Sequence, residues 1–130
     1  ILSKKKKYFK NSIKFGEDLN KEQEKLLVDY FEQTPVFVTN YPKSIKPFYM
    51  RQSETNPNLV ENFDLLAPKV GEIIGGSLRE NRIDLLTESI KSNKLDLNLF
   101  NYYLDTKKYG AMKMGGFGLG LERFIQFLLN

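Results

Sequence analysis

The sequence predicts an α+β fold, in which an antiparallel sheet is flanked by helices. After one helix near the start, short β-rich segments bounded by prolines come first, and segments with apolar residues at helical spacing come later. The tight links between the short strands favour antiparallel pairing. With 130 residues, 41% of them hydrophobic and 28% charged, the chain suffices for one globular domain with a core.

The first helix is predicted over residues 20–33. Asn20 and Gln23 have the spacing of a capping box, and Thr34-Pro35 ends the segment. The apolar face of this helix is predicted to consist of Leu19, Leu26, Leu27, Tyr30 and Phe31.

Four strands are predicted to follow, over residues 36–41, 48–52, 59–67 and 70–74. The segments between them carry proline and asparagine and are predicted to be turns. The strand at 36–41 is predicted from its β-branched and aromatic residues, and the strand at 48–52 is predicted from the segment "FYMRQ".

Helices are predicted in the second half of the chain. Ser77 and Glu80 fit a second capping box, ahead of a face that carries Ile83, Leu86 and Ile90. Another helical segment is predicted over residues 95–109, and residues 110–120 have loop character with room for a short strand. The last helix is predicted to turn a core face inward that consists of Leu121, Phe124, Ile125 and Leu128.

Composition excludes several kinds of chemistry. The chain has no Cys and no His, which removes disulfides, thiolate catalysis, imidazole metal ligands and a histidine base. No apolar stretch approaches the roughly 20 residues that span a bilayer. The net charge of +4 equals the charge of the run Lys4 to Lys7, which is read either as a solvated entry or as an arm for RNA phosphates. Because the sequence lacks an initiator Met, we expect it to begin inside a longer protein.

The glycine-rich stretch before the last helix matches neither common nucleotide loop. A dinucleotide fingerprint needs a third glycine where Leu121 stands, and a Walker loop needs Lys and Ser/Thr at positions 121 and 122. The stretch still offers bare backbone to a ligand at a helix N-terminus, where anions are favoured. Arg123 in the first turn opposes the helix dipole, which fits either a phosphate-binding group or an ordinary surface arginine.

A second cluster surrounds the pair Gly75-Gly76. Glu72 lies in an apolar strand and needs a partner or a metal, and Arg79 follows the pair. A bulge at the glycines would bring Glu72 and Arg79 to one face and leave a patch without side chains between them. The alternative is a salt bridge where a strand meets a helix.

Three segments together resemble one family. "PVFVTNYPKSIKPFYMR", "DLLAPKVGEIIGGSLRE" and "YGAMKMGGFGLGLERF" are similar to the C-terminal part of the catalytic domain of asparaginyl-tRNA synthetases, which belong to class II. "GLGLERF" looks like the third signature motif of that class. Glu80 and Asn81 follow Arg79 where aspartate relatives usually have an Ile-His pair. The resemblance covers residues 13–129.

This resemblance implies roles for particular residues. Glu72, with Asp64 as a second carboxylate, would hold the Mg²⁺ that bridges the phosphates of ATP. Gly75 and Gly76 would form the floor under the amino acid, and Arg79 would hold the carbonyl end of its side chain. The ATP site would also include Gly118, Gly120, Leu121, Glu122 and Arg123, with Arg123 gripping the terminal phosphates. Glu72 and Arg123 are thus the catalytic residues that the resemblance implies.

The implied activity is asparagine–tRNA ligation. Asparagine would be activated with ATP and transferred to tRNA(Asn) by a homodimeric enzyme of the cytoplasm, with an organelle as the alternative and no membrane partner. Lys113 and Met114 stand where the family commonly has Pro-His. Its first two motifs and its anticodon-binding domain are absent from residues 1–130, so we expect these residues to be a partial catalytic domain that is inactive alone. An aspartate enzyme and a non-catalytic paralogue are the alternatives, although Glu72, Arg79 and Arg123 are all present.

Overall fold

The computed structural model describes Lys14 and residues 16–129. The run Lys4 to Lys7 and the first residue of the resemblance lie outside these described residues. The described elements, in chain order, are α1 (Lys21–Tyr30), β1 (Val36–Thr39), β2 (Asn62–Ala67), β3 (Gly71–Leu78), α2 (Ile83–Ser92), α3 (Asn101–Lys108), β4 (Gly115–Leu119) and α4 (Leu121–Leu129). Short 3₁₀ turns at Lys43–Ile45 and Leu97–Phe100 complete them.

The four strands form one sheet in the order β1-β2-β3-β4, which is also their order in the chain. β1 pairs antiparallel with β2, with Val36 opposite Leu66 and Thr39 opposite Phe63. The main-chain N–H of Gly120 donates to the carbonyl of Ile73, and that of Arg79 donates to the carbonyl of Met114, so β4 runs antiparallel to β3. The predicted antiparallel sheet with flanking helices is confirmed.

The predicted strand over residues 48–52 is wrong. Met50 and Gln52 make only isolated bridges, to Arg79 and Val60 respectively, while Phe48 and Tyr49 lie in a turn. The aromatic residues that suggested a strand are used in side-chain packing instead, since Phe48 stacks edge-on against Phe100 at 4.9 Å between ring centroids. β propensity reports half-buried packing as much as strand geometry.

The second predicted capping box is also wrong. β3 continues through Gly75 and Gly76 to Leu78, and Ser77 is a buried strand residue. Helix α2 starts only at Ile83, with no side-chain cap. The sequence spacing of a capping box occurs by chance here, because tertiary pairing of β3 overrides it.

No bulge interrupts β3 at its glycine pair. Ile73 and Arg79 are six residues apart on β3, and their partners Gly120 and Met114 are six apart on β4. The register is therefore kept across Gly75-Gly76, so the bulge considered as one possibility from the sequence is absent. Glycine is required at these two positions because neighbouring side chains occupy the space that a Cβ would need.

The first helix is confirmed, with a shorter extent than predicted. The Asn20 side chain accepts from the Gln23 N–H while the Gln23 side chain accepts from the Asn20 N–H, so the predicted capping box is present. Such a cap contributes about 1 kcal/mol. Leu27 and Val28 pack with Leu66 of β2 in a small core, but Tyr30 and Phe31 of the predicted face are exposed.

The predicted core face of the last helix is largely uncovered. Leu121, Ile125 and Leu128 are 64%, 46% and 64% exposed, and only Phe124 and Phe127 are half-buried. Apolar spacing identifies the face that a helix tends to bury, but it does not identify what covers that face.

The described residues form two compact units. The first contains the described residues up to Thr39, Phe63–Gly76 and residues 117–129, and the second contains Asn40–Asn62 and Ser77–Gly116. The second unit has its own interior, with Leu86 and Ile90 of α2 fully buried. No helix among the described residues is long and apolar enough to cross a membrane.

Candidate functional site

In the first unit, the glycine-rich stretch forms the end of β4 and leads directly into α4. The N–H of Gly120 donates to the carbonyl of Ile73 at 2.9 Å, and the N–H of Phe124 donates to the carbonyl of Gly120 at 2.9 Å. No atom lies within 4 Å of the position that a Cβ on Gly118 would take. Bare backbone therefore faces open space immediately before a helix N-terminus.

A cavity of about 300 Å³ opens at this place. It is lined by Glu72, Ile73, Gly75, Gly118, Gly120, Leu121, Glu122 and Arg123. Except for Ile73, every lining residue is one that the sequence resemblance assigned to ATP, metal or amino acid. The structure thus brings together two segments that lie about forty residues apart in the chain.

Arg123 is anchored through the main chain of β3. Its Nη1 donates to the carbonyl oxygen of Glu72 at 2.6 Å, and its aliphatic stem lies 3.8 Å from the Cβ position of Gly120. Within the described residues its guanidinium forms no ion pair with a carboxylate. An exposed, oriented guanidinium that forms no close ion pair is suited to bind an anion from solution.

Two carboxylates meet over Gly75. A Cβ there would lie 2.7 Å from Oε1 of Glu72 and 3.3 Å from Oδ1 of Asp64, so glycine leaves the space that both groups use. No cluster of three or more metal-ligating side chains occurs in the described part of the chain. Mg²⁺ usually takes one or two carboxylates and fills its remaining positions with water and substrate phosphates. The Glu72 and Asp64 pair fits that donor set.

Gly76 has a different environment from Gly75. A Cβ on Gly76 would lie 2.7 Å from the ring of Phe63 and 2.9 Å from Cβ of Phe117. Its missing side chain makes room for aromatic packing, and Gly76 does not line the cavity.

Glu24 of α1 is a neighbour of this site that the sequence did not indicate. Burial, followed by the nearby Glu72 carboxylate, raises the pKa of Glu24, while Arg123 and a hydrogen bond from the main-chain N–H of Glu72 act in the opposite direction. Glu24 and Arg123 also line a larger cavity of about 880 Å³ between α1 and the start of β3. The helical spacing of α1 marked Glu24 only as a polar position, so no sequence signal set it apart.

Arg79 lies in the second unit, where Tyr49 supports it. The guanidinium carbon is 4.4 Å from the centre of the Tyr49 ring, within the range of a cation–π contact. The Arg79 side chain forms neither a hydrogen bond nor an ion pair with any other described residue. The alternative interpretation, a salt bridge at the junction of strand and helix, is therefore wrong for the described residues.

Glu80 next to Arg79 has a structural role. It is 2% exposed, and it accepts hydrogen bonds from the Arg82 side chain at 2.8 Å and from the Gln52 N–H at 3.0 Å. Burial alone would raise the pKa of Glu80, but these hydrogen bonds outweigh it and lower that pKa. Arg82 is thereby committed to Glu80 and does not serve as a second free cation.

Comparison with known proteins identifies one family. The profile described as "tRNA synthetases class II (D, K and N)" matches residues 3–130. A protein of Dictyostelium discoideum named probable asparagine–tRNA ligase, mitochondrial, is 51% identical over 121 residues, which are 89% of this chain and 26% of that protein. Asparaginyl-tRNA synthetase of Mus musculus is 45% identical over 131 residues, which are 100% of this chain and 27% of that protein.

A solved structure gives the same result for the fold. Asparaginyl-tRNA synthetase of Entamoeba histolytica in complex with asparaginyl-adenylate superposes with a TM-score of 0.87 at 38% identity. The match covers 92% of this chain and 27% of that one. The chain therefore spans about a quarter of the length of the relatives that it matches.

Proposed function

This chain belongs to the class II tRNA synthetases of the D, K and N group, and we propose that it is part of the catalytic domain of an asparagine–tRNA ligase. The observation that carries the proposal is the cavity of the first unit. Glycine backbone, an exposed arginine and the carboxylate of Glu72 line it, with Asp64 beside Glu72 over Gly75, and each suits one part of a nucleoside triphosphate. The proposed amino acid substrate, asparagine, is inferred from the names of the Dictyostelium and mouse relatives.

In this proposal, ATP lies along the bare backbone of Gly118 and Gly120. Leu121 and Glu122 border the nucleotide at the start of α4, and Arg123 binds its terminal phosphates. Glu72 and Asp64 would hold Mg²⁺, which supplies positive charge to the phosphate oxygens. Arg123 leaves its contact with the Glu72 carbonyl or shares its five donors between that carbonyl and the phosphates.

Asparagine is activated without a general base. Its α-carboxylate is already ionised at neutral pH, and it attacks the α-phosphorus of ATP in line, so that pyrophosphate leaves and the adenylate forms. Catalysis then rests on positioning and on cations that stabilise the transferring charge. A 2′- or 3′-hydroxyl of the terminal ribose of tRNA next attacks the acyl carbon, and AMP leaves. The absence of histidine from the sequence is compatible with both steps.

Arg79 is proposed to read the side-chain carbonyl of asparagine. The donors of its side chain have no described protein acceptor, and the Tyr49 ring lies 4.4 Å from its guanidinium carbon. Arg82 is bound to Glu80, so the described surroundings of Arg79 hold no additional free guanidinium for a substrate carboxylate. A lone guanidinium can bind either an amide or a carboxylate oxygen, so the choice of asparagine over aspartate rests on the named relatives. Homodimer formation, tRNA(Asn) binding and a cytoplasmic or organellar location remain predictions for the full-length protein.

The test of this proposal is amino-acid-dependent ATP–pyrophosphate exchange by the full-length protein. We expect exchange with asparagine and at least about 100-fold lower kcat/KM with aspartate, because a site built for one polar group discriminates strongly against a substrate with different donors and acceptors. Preference for aspartate would assign the chain to the aspartate enzymes. Absence of exchange with either amino acid, in a folded dimer, would indicate a non-catalytic paralogue.

A further inference from the structure

Arg79 differs from the other described arginines in the second unit. Arg51 contacts Asn81, Glu54 and Glu61, and Arg82 is paired with Glu80. Arg79 is half-buried, yet its side chain has no described acceptor. A guanidinium discriminates between substrates only if its orientation is fixed, so neighbouring residues other than an acceptor have to hold it in place.

Tyr49 provides one support for this guanidinium. Its ring lies 4.4 Å from Cζ of Arg79, and its main-chain carbonyl accepts from the N–H of Glu80 at 2.9 Å. The ring is itself fixed by Phe48, at 5.5 Å between centroids, and Phe48 packs edge-on against Phe100 and Tyr103. Tyr49 thus lies at the end of an aromatic cluster, and packing within this cluster restricts the position of its ring.

Gly116 provides the space on which the same guanidinium depends. A Cβ on Gly116 would lie 3.0 Å from Nη2, 3.4 Å from Nε and 3.6 Å from Cζ of Arg79. The two nitrogens are nearer than the carbon, so the methyl of an alanine would stand beside the Nε–Nη2 edge. A Cβ at 3.0 Å from Nη2 is closer than ordinary van der Waals contact, so an alanine would push the guanidinium away from its present position.

We infer that Tyr49 and Gly116 are positioning residues that hold the Arg79 guanidinium in the orientation in which it reads the substrate side chain. The inference rests on the proposed role of Arg79 and adds two residues to it. Tyr49 supports one side of the guanidinium, and Gly116 leaves the space that its Nε and Nη2 atoms need beside β4. Neither residue touches ATP in this account, so their effect belongs to the amino acid alone.

The experiment measures asparagine-dependent ATP–pyrophosphate exchange in the full-length protein, with KM determined separately for asparagine and for ATP. Tyr49→Leu and Gly116→Ala should raise KM for asparagine about tenfold, with KM for ATP within about twofold of the wild type. Tyr49→Phe keeps the ring and should restore KM for asparagine to within about twofold. Tyr109→Leu is the matched control, because that ring is 78% exposed and lies under Lys108 at 5.3 Å.

The outcomes separate this inference from the proposed function. Wild-type exchange with asparagine together with an unchanged KM in both Tyr49→Leu and Gly116→Ala would overturn the inference alone. Equal increases in KM for ATP and for asparagine would also overturn it, since they indicate a general structural role. No asparagine-dependent exchange by the folded wild type would overturn the proposed function and this inference with it. If Tyr49→Leu does not fold, Gly116→Ala and Tyr49→Phe decide the question by the same KM comparison.

Discussion

At the scale of single residues, the three glycines Gly75, Gly76 and Gly118 have different surroundings. Gly75 makes room for the carboxylates of Glu72 and Asp64, Gly76 makes room for the ring of Phe63, and Gly118 faces open space. Sequence alone shows only that glycine is dense in both segments. The structure adds which atoms a side chain at each of these positions would contact.

This difference gives a prediction for alanine substitutions in the full-length protein. A methyl group on residue 118 meets no protein atom, so the thermal midpoint of Gly118→Ala should stay close to that of the wild type. Because this methyl would occupy space in the cavity, KM for ATP should rise about tenfold. Gly76→Ala forces a methyl against the Phe63 ring and should lower the free energy of unfolding by about 1–3 kcal/mol. Calorimetry and pyrophosphate exchange on both variants measure the two quantities. A destabilised Gly118→Ala with unchanged KM for ATP would contradict the assignment.

At the scale of elements, sequence periodicity located α1, α2, α3, α4, β1, β2 and the start of β3. It failed where tertiary contacts decide the local structure. Ser77 and Glu80 have capping-box spacing, but Ser77 is buried in β3 and Glu80 is held by Arg82 and Gln52. The short strand for which residues 110–120 left room is β4, and the sequence did not show that its main chain pairs with β3.

The site shows the same division. Family motifs named Glu72, Arg79 and Arg123, and the structure gathers Glu72 and Arg123 at one cavity. Glu24, Tyr49 and Gly116 carry no spacing signal, because each matters through a partner far away in the chain. Such pairings are set by packing and cannot be obtained from one sequence.

The Glu80 network gives a prediction about pH in the segment that joins β3 to α2. The folded pKa of Glu80 lies below its ordinary value of 4.5, so its ionised form is stabilised by folding. This stabilisation is fully present above the unfolded pKa, and it is lost as pH falls through the lower folded pKa. Protection of the Gln52 and Arg82 amides against hydrogen exchange should therefore weaken between about pH 5 and pH 3.

Substitution of Glu80 tests that prediction. Glu80→Gln should reduce the protection of these amides at pH 7 by about 1–3 kcal/mol and remove most of the change on acidification. Glu88→Gln, an exposed glutamate on α2, is the matched control and should leave both unchanged. Amides in Glu80→Gln that keep wild-type protection and wild-type pH dependence would contradict the account.

At the scale of the whole molecule, several large apolar side chains among the described residues are exposed. Phe37 and Phe117 are 63% and 69% exposed, and they add to the uncovered face of α4. The chain also spans about a quarter of its relatives. We therefore expect these 130 residues on their own to be inactive, and pyrophosphate exchange by the isolated chain would contradict that expectation.

The central claim is that the cavity at the start of α4 binds ATP through Arg123. The measurement is asparagine-dependent ATP–pyrophosphate exchange by full-length Arg123→Ala, beside Lys91→Ala as a control for the loss of one exposed cation. We expect kcat/KM for ATP to fall at least about 100-fold in Arg123→Ala, with an unchanged thermal midpoint, and to stay at the wild-type value in Lys91→Ala. Wild-type exchange by Arg123→Ala would contradict the account.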